Sequence, residues 1–294
     1  MQVPAQFQYE KATSVEHALE LLAAYGDDSM VVAGGHSLIP MMKLRLAQPE
    51  TLIDINDVHE LARIGVDRDS VTIGALVRHA ELLDSPVIGE HFPILHDAER
   101  VIADPAVRNR GTVGGSLCQA DPSEDLAAVF VALDAVALIR GLDGDRAVPV
   151  RQFFTGPYST VLDDGELLVG VRVPIHSSAS AYAKVERRSG DWAVASAGAA
   201  LRLDDGHVAR AGIGLTAVGA PSFGAPEAEA YLVGGPATEE RFVEAGTIAA
   251  EHCSPIADQR GPVDYKRHLA ATLTTRVLRT AAARWRGHGN HEES

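Results

Sequence analysis

The sequence predicts an α+β protein of two domains, and three observations carry that reading. Up to about residue 175, strand-like and helix-like segments mix without a strict βαβ period, which favours α+β over a doubly wound sheet. A short polar stretch, His176-Ser177-Ser178-Ala179-Ser180, then follows Pro174. Beyond it lie three strand patterns and two amphipathic helical ones, so the expected C-terminal domain is a three-stranded antiparallel sheet with helices. The expected divisions are residues 1–175, 181–287 and a polar tail, 288–294.

Composition narrows the class. With 294 residues, 46% of them hydrophobic, the chain is long enough for two cores. A formal net charge of -14 argues against a nucleic-acid partner, whose binding needs a basic surface. Met1 to Gln6 has neither a basic start nor an apolar run, so no signal peptide is expected. The apolar run Leu126 to Leu133 stops at Asp134 and is too short for a membrane span. Cys118 and Cys253 are the only cysteines; they supply neither a disulfide framework nor the roughly four ligands of an iron-sulfur cluster. A reduced, cytoplasmic setting is expected, without metal ligands on this chain.

In the first domain, Thr13-Ser14-Val15-Glu16 reads as a capping box before a helix whose apolar residues Val15, Ala18, Leu19 and Leu22 recur at helical spacing up to Gly26. Met30 to Ala33 reads as a strand, Leu38 to Ala47 as a helix with Pro40 in its first turn, and Thr51 to Asn56 as a strand. Leu61 to Val66 and Val71 to Leu76 suggest a hairpin, and His79 to Leu83 and Phe92 to Ala103 suggest helices. Leu126 to Leu133 follows as a helix, with Ala135 to Arg140 and Glu166 to Pro174 as strands.

Past the boundary, Ala181 to Arg187, Ala193 to Leu203 and Val208 to Ala217 read as strands, the last two joined by the hairpin signal Asp204-Asp205-Gly206. Glu239 to His252 and Tyr265 to Trp285 read as helices. His288 and His291, in the polar tail, suit an unstructured end better than a metal site.

The chemistry lies in two glycine pairs. Ala33-Gly34-Gly35-His36-Ser37 and Thr112-Val113-Gly114-Gly115-Ser116 each set Gly-Gly before a hydroxyl residue, after a β-like run. Glycine adopts positive φ without steric penalty, so each pair can turn the chain and aim successive N–H groups at an anion. Ser37 would cap the following helix. Two such turns suggest a ligand with two phosphates gripped from both sides. Each pair taken alone also suits an ordinary tight turn. Arg108, Asn109 and Arg110 form the only basic cluster near either pair, and solvated loop charge explains them equally well.

The runs Ala33 to Pro40 and Gly111 to Ser116, with Asp121-Pro122-Ser123-Glu124-Asp125, resemble the flavin-binding medium subunits of molybdenum hydroxylases, above all the carbon monoxide dehydrogenase branch. The resemblance covers nearly the whole chain. It implies FAD, bound between two subdomains of a first domain of the vanillyl-alcohol-oxidase type. Carried over, Ala33, Gly34, Gly35, His36, Ser37 and Leu38, with Thr112, Gly114, Gly115, Ser116 and the adjacent Cys118, would surround the pyrophosphate. Asp125 would accept from the ribose, Leu168 would line the adenine end, and Lys184 would lie near the flavin. Asp191 and Trp192 would stand at the isoalloxazine, although the family pattern has Tyr in place of Trp192 and often Asn in place of Ser116.

The resemblance further implies a molybdenum-containing large subunit and a small subunit with [2Fe-2S] clusters, assembled as a dimer of heterotrimers. Electrons would pass through FAD to a quinone or another external acceptor, and any attachment at the inner face of the membrane would come through partners. Catalytic acids and bases need not exist on the chain. A self-contained FAD-dependent oxidase, with its substrate in the second domain, is the alternative. Several site residues also have plainer explanations: Asp125 as a first-turn helix acid, His36 as a turn histidine, Trp192 as core, and Cys118 as a small buried residue.

Overall fold

The computed structural model describes residues 3–176 and 178–289; Ser177, His291 and the rest of the tail from 290 lie outside them. In chain order the first elements are β1 (Gln8–Lys11), α1 (Val15–Tyr25), β2 (Ser29–Val32), α2 (Leu38–Lys43), β3 (Thr51–Asp54), β4 (Ile64–Val66), β5 (Ser70–Gly74) and α3 (His79–Asp84). Next come α4 (Pro86–His91), α5 (Pro93–Glu99), α6 (Pro105–Arg108), α7 (Val113–Gln119), α8 (Asp125–Ala132), β6 (Val136–Gly141), β7 (Gly144–Pro149), α9 (Val150–Phe153), β8 (Phe154–Gly156) and β9 (Ser159–Thr160). The chain continues through β10 (Leu167–Pro174), β11 (Ala179–Glu186), β12 (Ala193–Asp204), β13 (His207–Thr216), α10 (Pro226–Leu232), α11 (Glu239–Glu251) and α12 (Val263–Gly289). Among the described residues no helix is long and apolar enough to cross a membrane.

The chain packs as two compact units that are not contiguous in sequence. One comprises residues 1–81, 105–120 and 136–173; the other comprises 82–104, 121–135 and 174–294. Residues 82–104 and 121–135 pack with the C-terminal sheet instead of with their neighbours in sequence. Pairing over such separations leaves no local signature.

In the first unit, β1 and β2 flank β3 in a parallel sheet, and a second sheet has the order β4-β5-β10-β6-β7. The apolar stripe of α1, Val15, Ala18 and Leu19, joins Ile53, Ile55, Leu61 and Leu76 in a core. The cap of α1 is Ser14, whose hydroxyl accepts from His17 N at 3.1 Å, one position on from the box read at Thr13. Helix α2 ends at Lys43, well short of Ala47, and the chain leaves it through Arg45 at φ +58°.

In the second unit, β11-β12-β13 is antiparallel, and its middle strand is buried over nine consecutive residues, Ala193 to Leu201. Both faces are therefore covered. Side chains alternate along a strand, and Ala197, Ala199 and Leu201 pack into a core with α11 and α12. The opposite face meets α5 and α8, and glycines permit the approach: a β-carbon on Gly198 would lie 2.9 Å from Ile94, and one on Gly214 would overlap the Ala128 carbonyl, 2.8 Å from its Cα. The β12–β13 hairpin turns through Asp205 and Gly206, both at positive φ, as their sequence signals. Helix α10 was not visible as a periodic pattern because it is only seven residues long. Helix α12 carries His288 and Gly289 into what the sequence suggests is tail.

Gly214→Ala should consequently destabilise the protein by about 1–3 kcal/mol or more, since α8 or β13 has to move. Chemical denaturation of the flavin-free protein measures it, and an unchanged midpoint would remove the close α8 contact.

Candidate functional site

Both glycine segments lie in the first unit, side by side. A β-carbon on Gly34 would overlap the Arg110 carbonyl and lie 2.9 Å from Gly111 Cα, so the two backbones touch where only glycine fits. Gly35 has φ +75°, the left-handed turn expected of it. The first helical hydrogen bond beyond it runs from Ile39 N to Gly35 O (3.0 Å), which leaves the amides of Gly35, His36, Ser37 and Leu38 ahead of the bonded ladder. Ser37 makes no capping hydrogen bond, contrary to expectation, because its backbone is already helical. Exposed His36 stays local, with Nδ1 3.2 Å from Gly34 O.

The second pair is not a turn. Gly114 and Gly115 lie in the first turn of α7, with Thr112 as its cap and Gly115 N donating to Thr112 Oγ1 at 3.1 Å. The amides of Val113, Gly114 and Ser116 go to Val77 O (3.0 Å), Ala75 O (2.8 Å) and Thr112 O (3.0 Å). These glycines serve close packing: a β-carbon on Gly114 would lie 2.6 Å from Ala75 Cβ, and one on Gly115 2.7 Å from Thr112 Oγ1. The amide concavity therefore belongs to residues 35–38 alone. The second segment offers hydroxyls, Thr112 Oγ1 and Ser116 Oγ, the latter 3.1 Å from Nε2 of buried His79.

A hydrogen-bond chain that sequence reasoning missed seats the two segments. Arg78 donates from one guanidinium nitrogen to the Arg110 carbonyl and from the other to Asn56 Oδ1 (2.6 Å). Asn56 Nδ2 donates to Ala33 O (2.8 Å) and Asp54 Oδ1 (2.6 Å), and Tyr9 OH donates to Asp54 Oδ2 (2.6 Å). Burial pushes the Asp54 carboxyl up, but the hydrogen bonds from Tyr9 and Asn56 outweigh it and hold it below the usual range. Burial, followed by the Arg110 charge, lowers the Arg78 pKa. A guanidinium so lowered is still cationic at neutral pH. Of the basic cluster read near Gly111, it is the Arg110 main chain that takes part.

Residues 5–176 match the family described as the FAD binding domain in molybdopterin dehydrogenase, and residues 180–281 match the CO dehydrogenase flavoprotein C-terminal domain. The chain belongs to this family. It is 39% identical to the carbon monoxide dehydrogenase medium chain of Hydrogenophaga pseudoflava, over 96% of this chain and 99% of that one. It is 38% identical to subunit alpha of the 6-hydroxypseudooxynicotine dehydrogenase complex of Paenarthrobacter nicotinovorans, over 96% and 97%. Among solved structures, the Hydrogenophaga carbon monoxide dehydrogenase lacking its Mo-pyranopterin moiety superposes with a TM-score of 0.93 at 42% identity, covering 96% of this chain and 99% of that one.

A chain of this family binds FAD, and the residues fit it: open amides at 35–38 lie beside the hydroxyl-bearing segment, the two backbones brought together at Gly34. Cys118 is exposed, which corrects its reading as buried. Leu168 is only 2% exposed, so its side chain belongs to the core and any adenine contact would fall to its backbone.

The remaining site residues are in the second unit. Asp125, the first residue of α8, is buried; its Oδ1 accepts from Tyr182 OH and its Oδ2 lies 2.8 Å from Lys184 Nζ. Lys184 also donates to Val101 O (3.2 Å). Burial drives the Asp125 pKa up, against Lys184 and Tyr182, which favour the carboxylate. Trp192 is 41% exposed and so is not core; its amide donates to Asp191 Oδ1 (2.9 Å) in a turn whose Gly190, at φ +79°, abuts the Ala103 carbonyl.

Because Asp54 is depressed on folding, its stabilisation is full above the unfolded carboxyl pKa, about 3.9, and is lost as pH falls through the lower folded value. Asp54→Asn should lower the melting temperature at neutral pH and flatten its fall below about pH 4. Melting curves across that window check both, and an equally steep acid limb in the variant would mean that Asp54 does not titrate below its free value.

Proposed function

We propose that the chain is the FAD-carrying medium subunit of a molybdenum hydroxylase complex of the carbon monoxide dehydrogenase type. In that role it takes electrons from [2Fe-2S] clusters on a small subunit, fed by a molybdenum-containing large subunit, and delivers them to an external acceptor. The observation that carries the reading is the amide loop 35–38 set against Thr112 and Ser116 across the Gly34 contact. FAD, when bound, supplies the redox chemistry, accepting electrons singly or in pairs.

The chain's own residues bind and orient. The amides of Gly35 to Leu38 and the hydroxyls of Ser37, Thr112 and Ser116 donate to the diphosphate, while Gly34, Gly114 and Gly115 let the segments that carry these groups pack closely. Asp125 is assigned to the ribose, sharing a carboxylate already engaged by Tyr182 and Lys184. Lys184, Asp191 and Trp192 are assigned to the flavin end, with the exposed indole as an apolar face. Tyr182 spends its hydroxyl on Asp125, which weighs against a self-contained oxidase using it as a catalytic acid.

The substrate is not written in this chain. Relatives named for carbon monoxide and for 6-hydroxypseudooxynicotine match it at 39% and 38% identity, so the shared feature is the flavin step. The native protein should copurify with a large and a small subunit, and recovery of a lone, fully active dehydrogenase would overturn the assignment.

Gly35→Val should abolish FAD retention, because a β-branched residue is strongly disfavoured at φ +75°. Gly115→Val should weaken it through the Thr112 cap. Flavin absorbance after gel filtration reads both, and a folded Gly35→Val protein that stays yellow would remove this loop from the site.

A further inference from the structure

We propose that Arg78 is a positioning residue that locks the two halves of the dinucleotide cradle together, with Asn56 as the second link of the clamp. The proposal rests on the FAD reading above. Arg78 lies just past β5, in an isolated antiparallel bridge with Thr112, and its amide donates to Glu81 Oε2 (2.8 Å), which fixes the base of the side chain. From there its fork reaches two acceptors on separate stretches of chain, the Arg110 carbonyl and Asn56 Oδ1. Asn56 carries the connection on to Ala33 O, the residue before the amide loop. One continuous path of hydrogen bonds thus joins the backbone at 110, which leads into Thr112 and Ser116, to the backbone at 33, which leads into the amides of 35–38.

The geometry of the fork is what makes Arg78 specific. A planar guanidinium presents several donors in fixed directions and can serve two separated acceptors at once, whereas an ammonium on a flexible stem is a point charge. Both acceptors are uncharged oxygens, so the arrangement is built for position. The contact it holds is the one at which Gly34 and Arg110 leave no spare room. Amides on one segment and hydroxyls on the other have to converge on one diphosphate, and loosening a supporting shell by about 1 Å is enough to spoil such convergence.

The test uses the full chain freed of flavin and titrated with two probes: FAD, and ADP, which keeps a diphosphate and lacks the isoalloxazine. Arg78→Lys keeps the charge and loses the fork; Asn56→Asp keeps the acceptor for Arg78 and loses the donor to Ala33 and Asp54. Each should weaken both probes by about tenfold, within the range expected for losing one hydrogen bond. The double variant should bind about as poorly as the weaker single, because the links are in series. The visible circular dichroism of the saturated proteins should change in the same variants.

Unchanged affinities in Arg78→Lys would overturn the clamp. So would a double variant whose losses multiply, or a fall in the flavin-free melting temperature with both affinities preserved, which would leave Arg78 a purely stabilising role. Gly35→Val separates the two levels. If that variant keeps FAD, the cradle reading itself has failed; if it loses FAD while Arg78→Lys binds normally, only the clamp has.

Discussion

The absence of a side chain at Gly34 is the constraint on which the first unit depends. A methyl group there would occupy the place of the Arg110 carbonyl, and the two segments could not lie against each other. Once they touch, the stretch from Ala75 to His79 becomes their common support. Ala75 O and Val77 O accept from Gly114 N and Val113 N, His79 N donates to Gly111 O (3.2 Å), and the Arg78 side chain reaches across to Asn56. Ala75 N in turn donates to Val169 O (3.0 Å), tying this support to β10 and the core of the five-stranded sheet. The second segment is thus held by main-chain pairing, and the first is joined to it through the side chains of Arg78 and Asn56.

The second unit uses the same steric device for a different end. Glycines at 198, 212 and 214 bring α5 and α8 onto the face of the sheet opposite α12. That approach places Asp125, at the start of α8, within reach of Tyr182 and Lys184 on β11. A buried ion pair offsets its desolvation only when its remaining hydrogen-bonding groups are satisfied. Here the Tyr182 hydroxyl and the Val101 carbonyl do that, and the helix N-terminus favours the carboxylate. Removing any one of the three side chains would leave the others unbalanced, so any contact they make with a ligand comes from a rigid group.

Much of this was legible in the sequence, and the exceptions share a cause. Period and punctuation located α1, β2, β3, the β4–β5 hairpin, α8 and the C-terminal sheet to within a few residues, since each reports a local preference. Gly35 at positive φ follows from its own chemistry. Gly114 and Gly115 do not: the same dipeptide turned out to be helical, because its reason for being glycine is the nearness of Ala75 and Thr112, far away or on the next turn. Asn56, Arg78 and Asp54 carried no motif at all. Their importance arises only when residues 22 and 32 positions apart meet. The assignment of α5 and α8 to the second unit was hidden for the same reason.

A chain with a net charge of -14 is an unpromising host for a diphosphate, and the magnitudes show how it can be one. Exposed charges farther than about 8–10 Å from the ligand are screened at ordinary ionic strength. What remains is local: four backbone amides at 35–38, hydroxyls at 37, 112 and 116, and the guanidinium of Arg78. Of the carboxylates close by, Glu81 accepts from the Arg78 amide, and Asp54 is turned to Tyr9 and Asn56, which satisfy both of its oxygens. A recess with clustered acids, about 590 Å³ lined by Asp143, Asp145, Asp163 and Glu166, is formed by the end of α1, the β6–β7 hairpin and the turn before β10, and none of its lining residues belongs to the glycine segments. The proposed anion site is made of oriented dipoles where a basic patch is lacking. Dipoles fixed in the backbone act only at short range. Their alignment is thus the quantity the surrounding hydrogen bonds have to protect.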